Sequence, residues 1–172
     1  AGGNPEHHME GPVGEQLKET MGGAFHPEEW QSYVHEEDWR VLKDNPKIWG
    51  SFIWAMYDFI VPGWSEGGMC NLNTKGLVTH DRRIKKDAYF LYKANWNPEP
   101  MVYIASRRFT ERKQAVTDIR VYSNCSHTTL YVNGKKIETI TPDKVRLCLF
   151  KGITLKPGKN IIEVRGDSGK VK

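Results

Sequence analysis

Residues 45–54, Asn-Pro-Lys-Ile-Trp-Gly-Ser-Phe-Ile-Trp, decide how the first half of this chain is interpreted. From residue 48 to residue 54 the run is continuously apolar, and only a serine interrupts it. An apolar run of this length after an Asn-Pro stop is typical of a strand that is buried on both faces. We therefore expect a buried strand near residues 48–54.

A long polar segment, residues 60–75, follows the predicted strand. It is rich in proline and glycine and contains one further aromatic residue, Trp64. Loops of this length in compact domains are usually functional or disordered. Barrel enzymes carry their binding sites at the carboxyl ends of parallel strands. The order of strand and loop therefore indicates a binding site near Trp54 and this loop.

Helices are predicted on both sides of the strand. Proline and two acids at residues 27–29 suit a first helical turn, and an amphipathic pattern continues to Asp44. The helix is predicted from a recurrence at three- and four-residue intervals, which is carried by Trp30, Tyr33, Val34, Glu37 and Val41. A second helix is predicted over residues 85–95. One or two strand and helix units cannot close a parallel barrel, which needs eight strands.

The pattern changes in the second half of the chain. From residue 101 onward, apolar residues alternate with polar ones in short runs that are separated by turn signals. Asn133-Gly134 is a strong signal for a two-residue hairpin. The runs favour an immunoglobulin-like β-sandwich. The Pro-rich segment at residues 97–100 places the boundary, which predicts one domain over residues 1–97 and another over residues 98–172.

Composition excludes several functional classes. The formal charge of +4 is modest and its basic residues are scattered, which argues against nucleic-acid binding. No apolar stretch approaches the length of a membrane span. Three cysteines, Cys70, Cys125 and Cys148, form no CxxC pair, so a zinc site is not expected and buried free thiols are favoured for the last two. The histidines form no metal set, and no cofactor is predicted.

Three segments carry a resemblance to a known family. These are FIWAMYDF at residues 52–59, NTKGLVTHDRRIKKDAYFLYKANW at residues 73–96 and DIRVYSNCSHTTLYVNGKKIE at residues 118–138. They closely resemble the C-terminal part of glycoside hydrolase family 2 enzymes, most of all β-galactosidases of the Bacteroides type. The resemblance implies an α+β composite: the C-terminal piece of a (β/α)8 barrel, with strand eight near residues 48–54, followed by an immunoglobulin-like β-sandwich.

The resemblance also implies an activity for the parent protein. Family members are retaining exo-β-glycosidases, which need two carboxyl groups about 5 Å apart. In the family both catalytic glutamates precede the part that this chain resembles. The chain is therefore expected to contain no catalytic residue and to be inactive alone. A β-galactosidase is the expected parent, and its location is expected to be periplasmic or secreted. A β-glucuronidase, or a carbohydrate-binding or structural sandwich, is the alternative.

Four residues are candidates for binding the sugar. An indole at Trp54 either presents a platform to sugar C–H bonds or packs in a core, and the family resemblance implies the platform. In β-glucuronidases of the family, an Asn-x-Lys motif like Asn73 and Lys75 binds the sugar carboxylate through a charge-assisted bond. Related β-galactosidases carry a similar motif. Asp58 is expected either to order the loop or to line the pocket.

The expected partner of the complete enzyme is its carbohydrate substrate. For the chain alone, a strand without its barrel neighbours would leave open edges and apolar faces. Residues 1–97 are therefore expected to pack against the sandwich or to associate with another copy of the chain.

Overall fold

A computed structural model describes residues 1–11 and 23–167. The chain divides into two compact units, Ala1–Phe90 and Leu91–Lys172. This division falls several residues before the boundary predicted at residues 97 and 98. Among the described residues, no helix has the length and apolar character needed to span a bilayer.

The first unit contains the predicted helix, here α1, over Glu28–Leu42. The helix is confirmed, and part of its apolar pattern is buried, because Trp30 packs with Met9 and is joined by Tyr33 and Val34. Val41 is 67% exposed, whereas Glu28, Glu29 and Glu36 are buried. Two of these buried acids, Glu28 and Glu29, are compensated by hydrogen bonds. The two oxygens of Glu29, for example, bond His8 Nδ1 at 2.9 Å and Met9 N at 3.2 Å.

The strand predicted near residues 48–54 is absent. These residues form no strand, and the side chains of Trp49 and Phe52 are 95% and 94% exposed. A strand exists only by pairing with neighbours, and none of the described residues pairs with this run. Regular pairing begins just after it, where Tyr57 forms a parallel bridge with Val78. The peptide bond between Trp54 and Ala55 is cis.

The loop predicted over residues 60–75 is mostly a β-hairpin. Strand β1, Phe59–Glu66, pairs antiparallel with β2, Met69–Asn73. The two residues between them, Gly67 and Gly68, have φ angles of 58° and 73°. Glycine adopts positive φ readily, and tight hairpin turns require it. The Gly-Gly pair therefore explains why this segment folds back on itself instead of forming an open loop.

The second predicted helix is confirmed as α2, Asp87–Trp96. Its first backbone N–H, from Asp87, donates to Glu28 Oε1 at 2.6 Å. A carboxylate at this position satisfies an N–H group that the helix itself cannot pair. A glutamate of α1 therefore caps α2.

The second unit is a β-sandwich, as the sequence predicted. Its strands are β3 Val102–Ile104, β4 Val116–Ser123, β5 His127–Val132, β6 Lys135–Ile140, β7 Leu147–Thr154 and β8 Ile162–Asp167. One three-stranded sheet has the order β3-β4-β7 and the other β6-β5-β8, and every pairing is antiparallel. Buried residues of both sheets form the core, among them Ile119, Val121, Leu130 and Phe150.

Two smaller predictions about this unit are also confirmed. Asn133 and Gly134 both have positive φ and connect the paired strands β5 and β6. Cys125 and Cys148 are buried free thiols, and Cys70 in β2 is an exposed one. The first unit does not show the predicted piece of a (β/α)8 barrel, because strand eight is absent and the described residues form no parallel sheet.

Candidate functional site

The segment Asn73–Gly76 begins at the last residue of β2 and carries two of the four predicted site residues. Asn73 and Thr74 are buried, at 7% and 1% exposure. Asn73 Oδ1 accepts the backbone N–H of Lys75 at 3.0 Å. This local bond fixes the backbone from which the Lys75 side chain projects.

A buried ion pair lies beneath this segment. Lys86 Nζ donates to Asp58 Oδ1 at 2.8 Å and to the carbonyl of Thr74 at 2.9 Å. Asp58 Oδ1 also accepts the N–H of Gly76 at 2.8 Å. Burial raises the pKa of Asp58, against the opposing effects of the Lys86 ammonium and the Gly76 N–H. All contacts of the Asp58 carboxylate lie within the protein, and they hold the segment in place.

Gly76 permits this close packing. A Cβ atom at this position would collide with the backbone of Tyr57 and Asp58. The backbone of Gly76 also receives a bond from α1, because Gln31 Nε2 donates to its carbonyl at 3.1 Å. Contacts on two sides therefore fix the segment. A larger residue at position 76 would disturb them.

The side chain of Lys75 lies against two residues of β1. Its Nζ is 2.6 Å from Glu66 Oε1 and 5.7 Å from the centre of the Trp64 ring. Glu66 Oε2 accepts the N–H of Thr74 at 3.2 Å. The Lys75 side chain keeps 31% exposure and that of Glu66 keeps 13%. An ammonium, a carboxylate and an indole thus lie together at an accessible surface.

Trp54 comes from the backbone segment next to this one. The N–H of Ala55 donates to the carbonyl of Lys75 at 3.2 Å, so the residue after Trp54 is bonded to the motif lysine. The Trp54 ring is 69% exposed and contacts Phe59 edge to face, at 5.8 Å between ring centres. Trp54 is therefore an exposed aromatic surface and not a core residue of the described chain.

Two titratable groups beside the segment have shifted pKa values. Burial raises the pKa of Glu66, but the hydrogen bonds from Lys75 and Thr74 and the charge of Lys75 outweigh it and lower the pKa overall. Burial is the main cause that lowers the pKa of His26, whose Nδ1 lies 3.2 Å from Thr74 Oγ1. At neutral pH the site therefore combines an ionised Glu66 with a neutral His26.

A second candidate site lies within the sandwich unit. A cavity of about 690 Å³ opens between the segment after β3 and the turn before β8. Five cationic side chains line it, against the single carboxylate of Asp118, and Phe109 and Ile104 contribute apolar surface. The Asp118 carboxylate is itself bonded to the N–H of Gly152 at 2.8 Å. The cations are Arg107, Arg112, Lys113, Lys156 and Lys159.

Sequence reasoning missed three features of these sites. Glu66 was not predicted, because nothing in the sequence indicates that it pairs with Lys75, nine residues later. The role of Lys86 was missed because it stands in a run of basic residues that suggests solvent exposure. The basic cavity draws its side chains from segments far apart in the sequence. Among the residues that the structure describes, no group of His, Cys, Asp and Glu is arranged to hold a metal ion.

Comparison with known proteins relates both units to glycosidases. No protein-family model matches the chain. A β-glucuronidase of Bacteroides fragilis is 39% identical over 146 residues, which is 84% of this chain and 21% of that protein. The crystal structure of a putative β-galactosidase from Bacteroides fragilis aligns over 99% of this chain and 25% of its own, with 39% identity and a TM-score of 0.87.

A third relative adds a ligand to the comparison. The crystal structure of an FMN-binding β-glucuronidase from Faecalibacterium prausnitzii L2-6 aligns over 84% of this chain and 22% of its own, with 40% identity and a TM-score of 0.78. The chain thus spans about a quarter or less of the length of each of these relatives. It is therefore homologous to one part of proteins that are named as β-glucuronidases and as a putative β-galactosidase.

Proposed function

We propose that this chain is part of a retaining exo-β-glycosidase and forms one wall of its sugar pocket. The observation that carries the proposal is the Ala55 to Lys75 backbone bond, because it joins the exposed Trp54 to the Asn73 and Lys75 motif. A sugar needs both surfaces: an apolar plane for its C–H bonds and donors for its hydroxyl groups. Asp58 and Lys86 position the motif from below and do not contact the sugar.

In the complete enzyme, residues 48–54 would form strand eight of a (β/α)8 barrel. The exposure of Trp49 and Phe52 supports this, because both side chains lack packing partners within the described chain. The two catalytic glutamates would come from outside the chain. Retaining hydrolysis requires both carboxyl groups, so the chain alone would have no glycosidase activity.

For the substrate, a terminal β-galactoside is the first candidate and a β-glucuronide the alternative. The relatives are named for both activities. Nitrophenyl β-galactoside and nitrophenyl β-glucuronide, assayed with the complete enzyme, distinguish the two. Lys75→Ala should change galactoside hydrolysis modestly, whereas a glucuronidase would lose its preference for the charged sugar together with the cation. An enzyme that turns over neither substrate would contradict the proposed activity.

A second proposed function concerns the sandwich cavity, which we propose as a site for FMN or a similar phosphorylated ligand. Support comes from its basic lining, since cations suit a phosphate. Arg112 is bonded to Thr117 Oγ1 and lies over the Phe109 ring, so the argument depends on Lys156 and Lys159. Lys156 and Lys159 flank the turn at Pro157-Gly158, and neither forms an ion pair within the described chain. The name of the Faecalibacterium relative points to the same ligand.

Fluorescence titration with FMN and riboflavin tests this second proposal, because riboflavin lacks the phosphate. FMN should bind at least about tenfold more tightly than riboflavin. The double variant Lys156→Ala and Lys159→Ala should remove most of that difference, while Lys135→Ala, an exposed lysine of β6, should leave it unchanged. Equal affinity for FMN and riboflavin, or no binding of either, would reject the site.

A further inference from the structure

Lys75, the cation of the Asn-x-Lys motif, forms an ion pair with Glu66. Glu66 Oε1 lies 2.6 Å from Lys75 Nζ, and Glu66 Oε2 accepts the N–H of Thr74 at 3.2 Å. Both carboxylate oxygens are therefore directed at the same three-residue motif. The side chain stands at the end of β1, where the hairpin turn at Gly67 begins, so its backbone is held by strand pairing.

This contact changes the electrostatic character of the motif. A lone ammonium beside the pocket would attract the carboxylate of a uronic acid. Here the charge of Lys75 is balanced by a carboxylate whose side chain is only 13% exposed. The lowered pKa of Glu66 is consistent with a carboxylate that stays ionised at neutral pH. Lys75 nevertheless has three N–H donors, so two remain for sugar hydroxyl groups.

We propose that Glu66 is a selectivity-determining residue, an internal counter-ion of Lys75 that makes the pocket favour neutral hexosides over hexuronides. The inference rests on the proposed glycosidase function and deepens it by choosing the substrate class. A uronate must either displace Glu66 from Lys75 or lie beside it. Both routes are unfavourable, because one leaves a partly buried carboxylate without its partner and the other juxtaposes like charges. A neutral hexose meets neither cost.

The test is Glu66→Gln in the complete enzyme, assayed with nitrophenyl β-galactoside and β-glucuronide. Removing the counter-ion should raise the ratio of kcat/KM for glucuronide over galactoside by at least about tenfold. The change should come chiefly from a lower KM for the glucuronide, because Glu66 is argued to affect binding of the sugar and not the chemical step. A purely structural role would instead lower kcat/KM for both substrates alike.

Two further measurements complete the design. Glu37→Gln removes a carboxylate of α1 whose partner is Arg40, and it should leave the substrate ratio unchanged. Inhibition of the unmodified enzyme needs no variant: galactose should inhibit more strongly than glucuronate.

The outcomes separate the two claims. An unchanged or lowered substrate ratio for Glu66→Gln, or stronger inhibition by glucuronate, would overturn the role of Glu66. Absence of turnover with either substrate would instead contradict the proposed glycosidase function.

Discussion

Lys86 Nζ lies 2.8 Å from Asp58 Oδ1, and the two side chains are 0% and 4% exposed. The same ammonium bonds the carbonyl of Thr74, and the same oxygen accepts the N–H of Gly76. One buried ion pair therefore fixes both ends of the Thr74–Gly76 backbone. The orientation of Lys75, which lies between them, depends on a pair that never reaches the surface.

Breaking this pair should be costly. Lys86→Met leaves Asp58 as a buried carboxylate without its ammonium partner, which typically costs about 3–5 kcal/mol of unfolding free energy. Urea denaturation of the chain measures this loss. Replacing both residues, as Asp58→Asn with Lys86→Met, should recover part of the loss because no unpaired charge remains.

Lys85→Met is the matched control, since this neighbouring lysine is exposed and lies over the Tyr89 ring, 5.1 Å from its centre. Its effect should stay within about 0.5 kcal/mol, as for most surface substitutions. Equal effects of the two lysine variants would contradict the structural role assigned to Lys86.

Acid should destabilise the first unit through His35. Burial is the main cause that lowers the pKa of His35 from 6.5 to about 4 in the folded chain. The unfolded chain therefore binds this proton at a higher pH than the folded chain does. Stability from this group is fully present above pH 6.5 and is lost as the pH falls toward about 4. The loss should approach about 3 kcal/mol at the lower end.

Urea denaturation between pH 7 and pH 4 measures this dependence. His35→Gln should flatten the curve in that window, whereas His127→Gln, at an exposed position of β5, should leave its slope unchanged. An identical slope for the parent chain and the His35 variant would show that another group is responsible.

We also propose that the isolated chain self-associates through residues 48–54. Trp49 and Phe52 are almost fully exposed there, and exposed apolar clusters favour association. Light scattering should report species larger than a monomer at micromolar concentration. The double variant Trp49→Ser and Phe52→Ser should shift the chain toward monomer. Substituting Val116 and Ile137, exposed apolar residues of the sandwich, is the control. A strictly monomeric parent chain would refute the proposal.

The second half of the chain could be predicted well from its sequence, and the first half less so. Sandwich strands are specified locally, by alternation and by turn residues such as Asn133-Gly134. The run at residues 48–54 carries an equally clear strand pattern, yet a strand also needs neighbours, which the described chain does not supply. The Gly67-Gly68 pair is typical of a tight turn, but the pattern of residues 60–75 predicts a loop where the structure has a hairpin.

The residues of the candidate site likewise fall into those that the sequence predicts and those that it does not. Trp54, Asn73 and Lys75 could be predicted as sugar-binding candidates, because the family resemblance matches them residue by residue. Glu66 and Lys86 could not, since their importance arises from contacts across nine and twenty-eight residues of sequence. The buried acids of α1 were missed for a related reason. Charged residues default to the solvated face unless a specific partner, such as the N–H of Asp87, compensates their burial.

The most direct test of the sugar-pocket assignment is Trp54→Ala in the complete enzyme, with kcat/KM and the melting temperature measured together. Since the Trp54 side chain is 69% exposed, its removal should leave the melting temperature within about 2 °C. If the ring is the sugar platform, kcat/KM should fall by about 100-fold or more. Trp30→Ala, at a buried tryptophan of α1, is the control for a core residue. It should lower the unfolding free energy by about 3–5 kcal/mol. An unchanged kcat/KM for Trp54→Ala would contradict the assignment.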